Sequence, residues 1–333
     1  MENVTIVTVY NACNYGSFLQ AMGLKMAIEK KGYNVNFLKM NVDTDKIIGV
    51  GVFSEKFVEF ETKKYKSIQE EMRAFSEVTN EELNSKCCVL GSDTIWNMFD
   101  PAYADVPYFV GKEINCKNII SYAASVGQNN YYKILLTKLP QLWHIRKLKS
   151  FGVRDDKTER FVRFIGRKPV RVLDPTFLVD FDVTKPKNFE VDNYLLVYTY
   201  GMSEEEIESI KTYAKDNELK VVATGSLCEW ADINLNVGSF EWLWLVQNAA
   251  CVVTNTFHGS VFSIKYNKNF ITFGKESDKV KSLLSEFGLE DRNSDHNSLN
   301  SVLNVNVDFD RVNKIIDAKV KVSLNYLYKG IEC

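Results

Sequence analysis

Histidine is scarce in this chain, with three in 333 residues. No two cysteines are spaced as Cys-x-x-Cys, so a structural zinc site has no support and no metal is expected. The seven cysteines form an odd set, and Cys87 and Cys88 fall in the apolar run Cys87-Cys88-Val89-Leu90, which suits a buried parallel strand. Free buried thiols are therefore expected rather than a disulfide framework. No apolar run reaches the length of a membrane span. Met1-Glu2-Asn3-Val4 leads straight into a strand-like run without the basic region and apolar core of a signal peptide, so a cytoplasmic location is expected. Neither sign of charge dominates: 41 Lys and Arg against 43 Asp and Glu leave a net charge of -2. A nucleic-acid partner is accordingly not expected; the balance speaks to the global field and is compatible with a local cationic pocket.

What is present is an ordinary globular composition, 45% hydrophobic and 25% charged, on a chain long enough for two cores. The most informative stretch is Cys251 to Ile264: a β-branched run, then Asn255 and Thr256, then apolar residues at helical spacing. It predicts a buried strand feeding a helix N-terminus, with His258 in the first turn. Free N–H groups and the positive end of the helix dipole favour an anion there, beside a side chain that exchanges protons near neutral pH. The same pattern also fits a simple helix cap with an interior histidine.

Other strand ends read alike. Val4 to Val9 runs into Asn11-Ala12-Cys13-Asn14-Tyr15-Gly16-Ser17 and then a helix ended by Gly32. This is a βαβ unit whose loop makes Asn14, Gly16 and Ser17 candidates for substrate contact, or for plain turn chemistry. It lacks the GxGxxG spacing of a dinucleotide site. Cys87 to Leu90 opens into Gly91-Ser92-Asp93-Thr94-Ile95-Trp96-Asn97. There Asp93 and Asn97 offer hydrogen bonds to hydroxyls and Trp96 an apolar face, the combination a sugar ring needs, while Asp93 equally suits a helix cap. Arg154 closes the run Phe151-Gly152-Val153 and suits a carboxylate or phosphate, or an internal partner such as Asp155. Residues 54–86 predict one or two amphipathic helices with a solvated charged face.

Lys185-Pro186-Lys187-Asn188 reads as a linker, and strand–helix alternation resumes from Tyr194 to Phe273. The expected architecture is α/β: two doubly wound, Rossmann-like parallel-sheet domains facing a cleft, over residues 1–183 and 184–307. Residues 308–333 are expected to form a terminal helix that packs back toward the first domain.

Taken in order, Asn14-Tyr15-Gly16-Ser17-Phe18-Leu19-Gln20, Gly91 to Asn97, Ser121 to Gly127, Val153-Arg154-Asp155, Leu173-Asp174-Pro175-Thr176 and Thr254 to Gly259 resemble the polysaccharide pyruvyl transferase family from about residue 5 to about residue 295. The resemblance implies a glycosyltransferase-B-like arrangement. It also implies transfer of a pyruvyl group from phosphoenolpyruvate to two hydroxyls of a sugar, giving a ketal without metal or cofactor. Arg154 matches a donor-binding arginine, and His258 the histidine of an Arg-Leu-His motif that here reads Thr256-Phe257-His258, one fixed cation fewer. On this reading His258 and Asp93 are catalytic. Arg154, Asn255, Thr256, Phe257, Gly259 and Ser260 bind the donor. Asn14, Tyr15, Gly16, Ser17, Ser92, Trp96 and Asn97 face a sugar or lipid-linked oligosaccharide acceptor, with room for peripheral membrane association. A glycosyltransferase using a nucleotide sugar and a non-catalytic carbohydrate-binding protein are the competing readings.

Overall fold

The computed structural model describes residues 1–40, 48, 52–100, 106–128, 131–274, 277–294 and 299–333. Its first half is a seven-stranded parallel sheet of β1 (Asn3–Val7), β2 (Asn34–Leu38), β3 (Glu77–Val78), β4 (Cys87–Leu90), β5 (Ile119–Ala124), β6 (Phe151–Val153) and β7 (Pro169–Arg171), in the order β3-β2-β1-β4-β5-β6-β7. The helices α1 (Tyr15–Lys30), α2 (Glu55–Met72), α3 (Tyr131–Thr137), α4 (Leu139–Arg146) and α5 (Asp156–Phe164) lie between these strands in the chain. Every residue of β4 is buried, as expected of a strand covered on both faces.

A separate five-stranded parallel sheet follows, ordered β10-β9-β8-β11-β12. It is built from β8 (Tyr194–Tyr198), β9 (Lys220–Thr224), β10 (Ile233–Leu235), β11 (Cys251–Thr254) and β12 (Phe270–Thr272), with α6 (Glu204–Asp216), α7 (Ser239–Asn248) and α8 (Phe257–Lys265) between them. The helices α9 (Asp278–Phe287), α10 (Leu299–Leu303) and α11 (Phe309–Glu332) complete the chain. In each sheet the strand order reverses beside the first strand, β1 or β8. Ligands of open α/β sheets bind outside the carboxyl ends of the strands at such a point.

The halves are joined by aromatic and polar contacts. Tyr15 stacks on Trp242 and Tyr198, with ring centroids 5.3 and 5.9 Å apart, and its hydroxyl donates to the Val237 carbonyl at 3.0 Å. The Glu71 carboxylate accepts from the Ser239 and Phe240 amides at the start of α7, where a negative charge complements the helix dipole. The terminal helix α11 returns across the first sheet: Tyr326 donates to the Ser121 carbonyl at 2.8 Å, and Ser323 Oγ accepts from the Leu173 amide at 2.9 Å.

Residues 54–86 hold one helix, α2, followed by the edge strand β3. The opposite edge strand is Pro169–Arg171, and Pro175–Phe177 is a 3-10 turn.

Candidate functional site

The strand ends of the first sheet and the N-terminus of α8 meet in one buried cluster. Arg154, at the end of β6, has a side chain only 1% exposed. Its Nη1 donates to Asp174 Oδ2 at 2.6 Å and to Ser92 Oγ at 3.0 Å, and its Nη2 donates to Asp93 Oδ1 at 3.2 Å. Ser17 Oγ donates to Asp93 Oδ2 at 2.9 Å, tying the start of α1 to the same carboxylate. Asp93 adopts φ 72°, which an aspartate tolerates when its side chain bonds locally; here Oδ1 accepts from the Thr94 amide at 2.8 Å. Asp174 Oδ1 is held by the Thr176 amide and hydroxyl.

The second half contributes α8. Thr256 is its N-cap, accepting from the Gly259 amide at 2.9 Å. His258 Nε2 stands 3.7 Å from Asp174 Oδ2, beyond hydrogen-bond length but close enough for direct charge coupling. Nε2 is buried without a hydrogen-bond partner among the described residues, and such a group calls for an explanation. The other side of the imidazole abuts Gly16, where an added Cβ would lie 2.1 Å from Nδ1 and 2.3 Å from Cγ. Gly16→Ala is therefore expected to displace His258, costing about 1–3 kcal/mol of stability by overpacking. If the imidazole takes part in turnover, kcat should fall with Tm, and an unchanged kcat would show that its position does not matter.

Of the residues singled out in the sequence, Gly16, Ser17, Ser92, Asp93, Arg154, Phe257 and His258 come together here, joined by Asp174. Others do not. Trp96 is fully buried, with its indole N–H on the Phe109 carbonyl, so it offers no face to a sugar. Tyr15 is likewise fully buried, in the stack between the two halves. Asn97 donates to Asp100 in a turn, and Asn14 spends its side-chain oxygen capping α1. Asn255 bridges to the loop after β8, accepting from the Tyr200 amide and donating to the Gly201 carbonyl. Gly259 allows close packing on Thr254, and Ser260 Oγ donates to the Thr256 carbonyl.

A residue missed in the sequence completes the site. Lys279, in the first turn of α9, places Nζ 5.9 Å from the Phe257 ring centroid, while the Arg154 guanidinium lies 4.4 Å from the same centroid. Two cations thus share one aromatic ring. Burial lowers the Lys279 ammonium from its ordinary value, opposed by Asp93. Unlike Arg154, Lys279 makes no hydrogen bond or ion pair among the described residues. Burial by itself would raise Asp93, but Arg154, then His258 and Lys279, outweigh it and hold the carboxyl below its usual range. Asp174 behaves alike: His258 and Arg154 overcome burial and keep it well below the usual carboxylate range. Both are ionised near neutral pH. No group of three or more His, Cys, Asp or Glu side chains among the described residues is placed to hold a metal ion.

The polysaccharide pyruvyl transferase family model matches residues 14–277, well over half the chain and all of this cluster except Lys279. The chain belongs to the polysaccharide pyruvyl transferase family. No curated protein matches it. Among solved structures, a UDP-GlcNAc 2-epimerase from Methanocaldococcus jannaschii is 12% identical, with 96% of this chain and 93% of that one covered and a TM-score of 0.50. An α-glucosyltransferase in complex with UDP is 9% identical, with 99% and 96% covered and the same TM-score of 0.50. At such identities the likeness concerns the fold alone: this pyruvyl transferase family member has the two-sheet glycosyltransferase-B architecture. Thr256 is the N-cap of α8, and Lys279 brings a cation to that same end.

Proposed function

We propose that the protein transfers the pyruvyl group of phosphoenolpyruvate to two hydroxyls of a sugar, closing a ketal, during cytoplasmic assembly of a cell-surface polysaccharide and without metal or cofactor. One arrangement carries this reading: Arg154 and Lys279 flank Phe257 at the N-terminus of α8, beside a histidine whose buried Nε2 has no partner among the described residues. A donor with a carboxylate and a phosphate needs separated cationic sites, and a helix N-terminus adds N–H groups for one of them.

The reaction then balances with few protein groups. A proton enters at the donor's methylene carbon, making it a methyl group and leaving oxocarbenium character at C2. One hydroxyl adds there and loses its proton, the C2–O bond to phosphate breaks, and the second hydroxyl adds and loses its own. Phosphate departs carrying one of these protons, and the other replaces the one consumed. His258 is the acid, its Nε2 3.7 Å from Asp174 Oδ2. Arg154 and Lys279 hold the donor's anionic groups through charge development. Asp93, kept ionised by Arg154, orients an acceptor hydroxyl by accepting its hydrogen bond.

The test is phosphate release from phosphoenolpyruvate with nitrophenyl and lipid-linked sugars, followed by a mass search for the ketal, beside melting shifts with phosphoenolpyruvate and nucleotide sugars. Stabilisation by nucleotide sugars alone, with no phosphate release, would overturn the reading. Lys279→Met is expected to weaken phosphoenolpyruvate binding by roughly 10–100-fold, the effect of losing a charge-assisted hydrogen bond of about 1.5–3 kcal/mol. Tm should hardly move, because Lys279 has no hydrogen bond or ion pair to lose among the described residues. An unchanged KM for phosphoenolpyruvate would remove Lys279 from the donor site.

A further inference from the structure

The outer face of α3 and α4, in the first half and outside the cluster around Arg154, presents large apolar side chains to solvent. Leu136 is 82% exposed, Leu139 61% and Trp143 57%. The same helices send Ile134, Leu142 and Ile145 into the core, so the outward residues are a second apolar face rather than the core-facing one. Scattered exposed leucines need no explanation, but three large apolar side chains within eight residues form a patch.

Along this stretch of chain the charge has one sign. Between Glu113 and Asp155 the chain contains no acidic residue, while Lys133, Lys138, Arg146, Lys147 and Lys149 fall within or beside the two helices. Lys138, Arg146, Lys147 and Lys149 form no ion pair among the described residues. Lys147 stands over the Trp143 ring, so a cation and an indole share one spot on the surface. Arg146 lies beside Gly166, and Phe164, 55% exposed, ends the neighbouring helix α5. This locally cationic surface belongs to a chain whose overall charge is -2.

We infer that this face of α3 and α4 docks the protein on an anionic phospholipid bilayer, the lysines and arginines meeting the headgroups while Leu136, Leu139 and Trp143 enter the interface. Leu and Trp beside Lys and Arg are the composition of helices that lie in the plane of a membrane. Trp prefers the headgroup level. No helix among the described residues is long and apolar enough to cross a membrane, so attachment through this face is reversible and weakened by salt.

The full chain is tested by flotation with vesicles of phosphatidylcholine alone and of phosphatidylcholine with 30 mol% phosphatidylglycerol, at low and high salt. Partition onto the anionic vesicles, weakened by salt and absent on the neutral ones, is expected. Lys138→Gln and Arg146→Gln should each weaken it about fivefold, the share of one cation near an anionic surface. Leu136→Ser with Trp143→Ser should abolish it while leaving Tm unchanged. Wild-type protein that ignores anionic vesicles overturns the inference, as do variants that partition like wild type. So does a dimer on gel filtration that the Ser variants dissociate while vesicles stay unbound, which would make the patch a contact between copies. None of these measurements reads pyruvyl transfer, so the outcome is separate from that of the proposed activity.

Discussion

His258→Ala is expected to lower turnover by roughly 10²–10⁴-fold, the range for a lost acid–base group, with a Tm loss limited to that of the cavity the buried imidazole leaves. Nε2 has no hydrogen bond to lose among the described residues, and the Nδ1 side of the ring packs on Gly16. Phosphoenolpyruvate affinity should fall less than turnover, because Arg154, Lys279 and the N-terminus of α8 remain. Arg154→Ala should show the opposite balance, with donor binding lost along with the chemical step. Steady-state kinetics read beside melting decides between roles. A His258→Ala protein that is fully active, or one that is merely unfolded, would remove the imidazole from the reaction.

The order of elements and the loops at strand ends were legible in the sequence because each strand is a short apolar run followed by a capping residue. β11 running into Thr256 and α8 is the clearest case. The short edge strands β3, β7 and β10 were not, since two or three half-exposed residues carry no pattern. Trp96 was misread because an indole after a polar loop looks alike whether it faces a ligand or the core. The discriminating fact, the Phe109 carbonyl waiting for its N–H, comes from a segment 13 residues further on. The role of Asp174 is not legible locally, as nothing in the sequence shows that an aspartate before proline will meet an arginine 20 residues earlier. Lys279 gives the least local signal. A lysine opening an amphipathic helix reads as solvated surface until the fold brings α9 against α5, where Asp156 N donates to Ser282 Oγ at 3.1 Å.

The variant with the largest expected effect on stability is Asp174→Asn. Asp174 and Arg154 are each only 1% exposed in their side chains, so solvent screening gives little relief. Asparagine keeps the volume but removes the charge, and its amide, if it faces Arg154, sets donor against donor. Removing one partner of a buried pair typically costs about 3–5 kcal/mol, mainly from the charge left behind; Asp93 remains to soften that loss. The pH dependence carries a sign. Because the folded-state carboxyl of Asp174 lies well below its usual range, its contribution is complete above the unfolded value of about 3.9. It is lost as pH falls from there toward the folded value, since the unfolded chain then takes up a proton that the folded one refuses. Wild-type protein should accordingly lose urea stability steeply below about pH 4, and Asp174→Asn should be weaker at pH 7 with a shallower slope in that range. A double variant, Arg154→Met with Asp174→Asn, should cost less than the sum of the two single changes, the signature of direct coupling. Strict additivity, or the same acid slope in wild type and Asp174→Asn, would mean that the Arg154–Asp174 pair does not hold the site together.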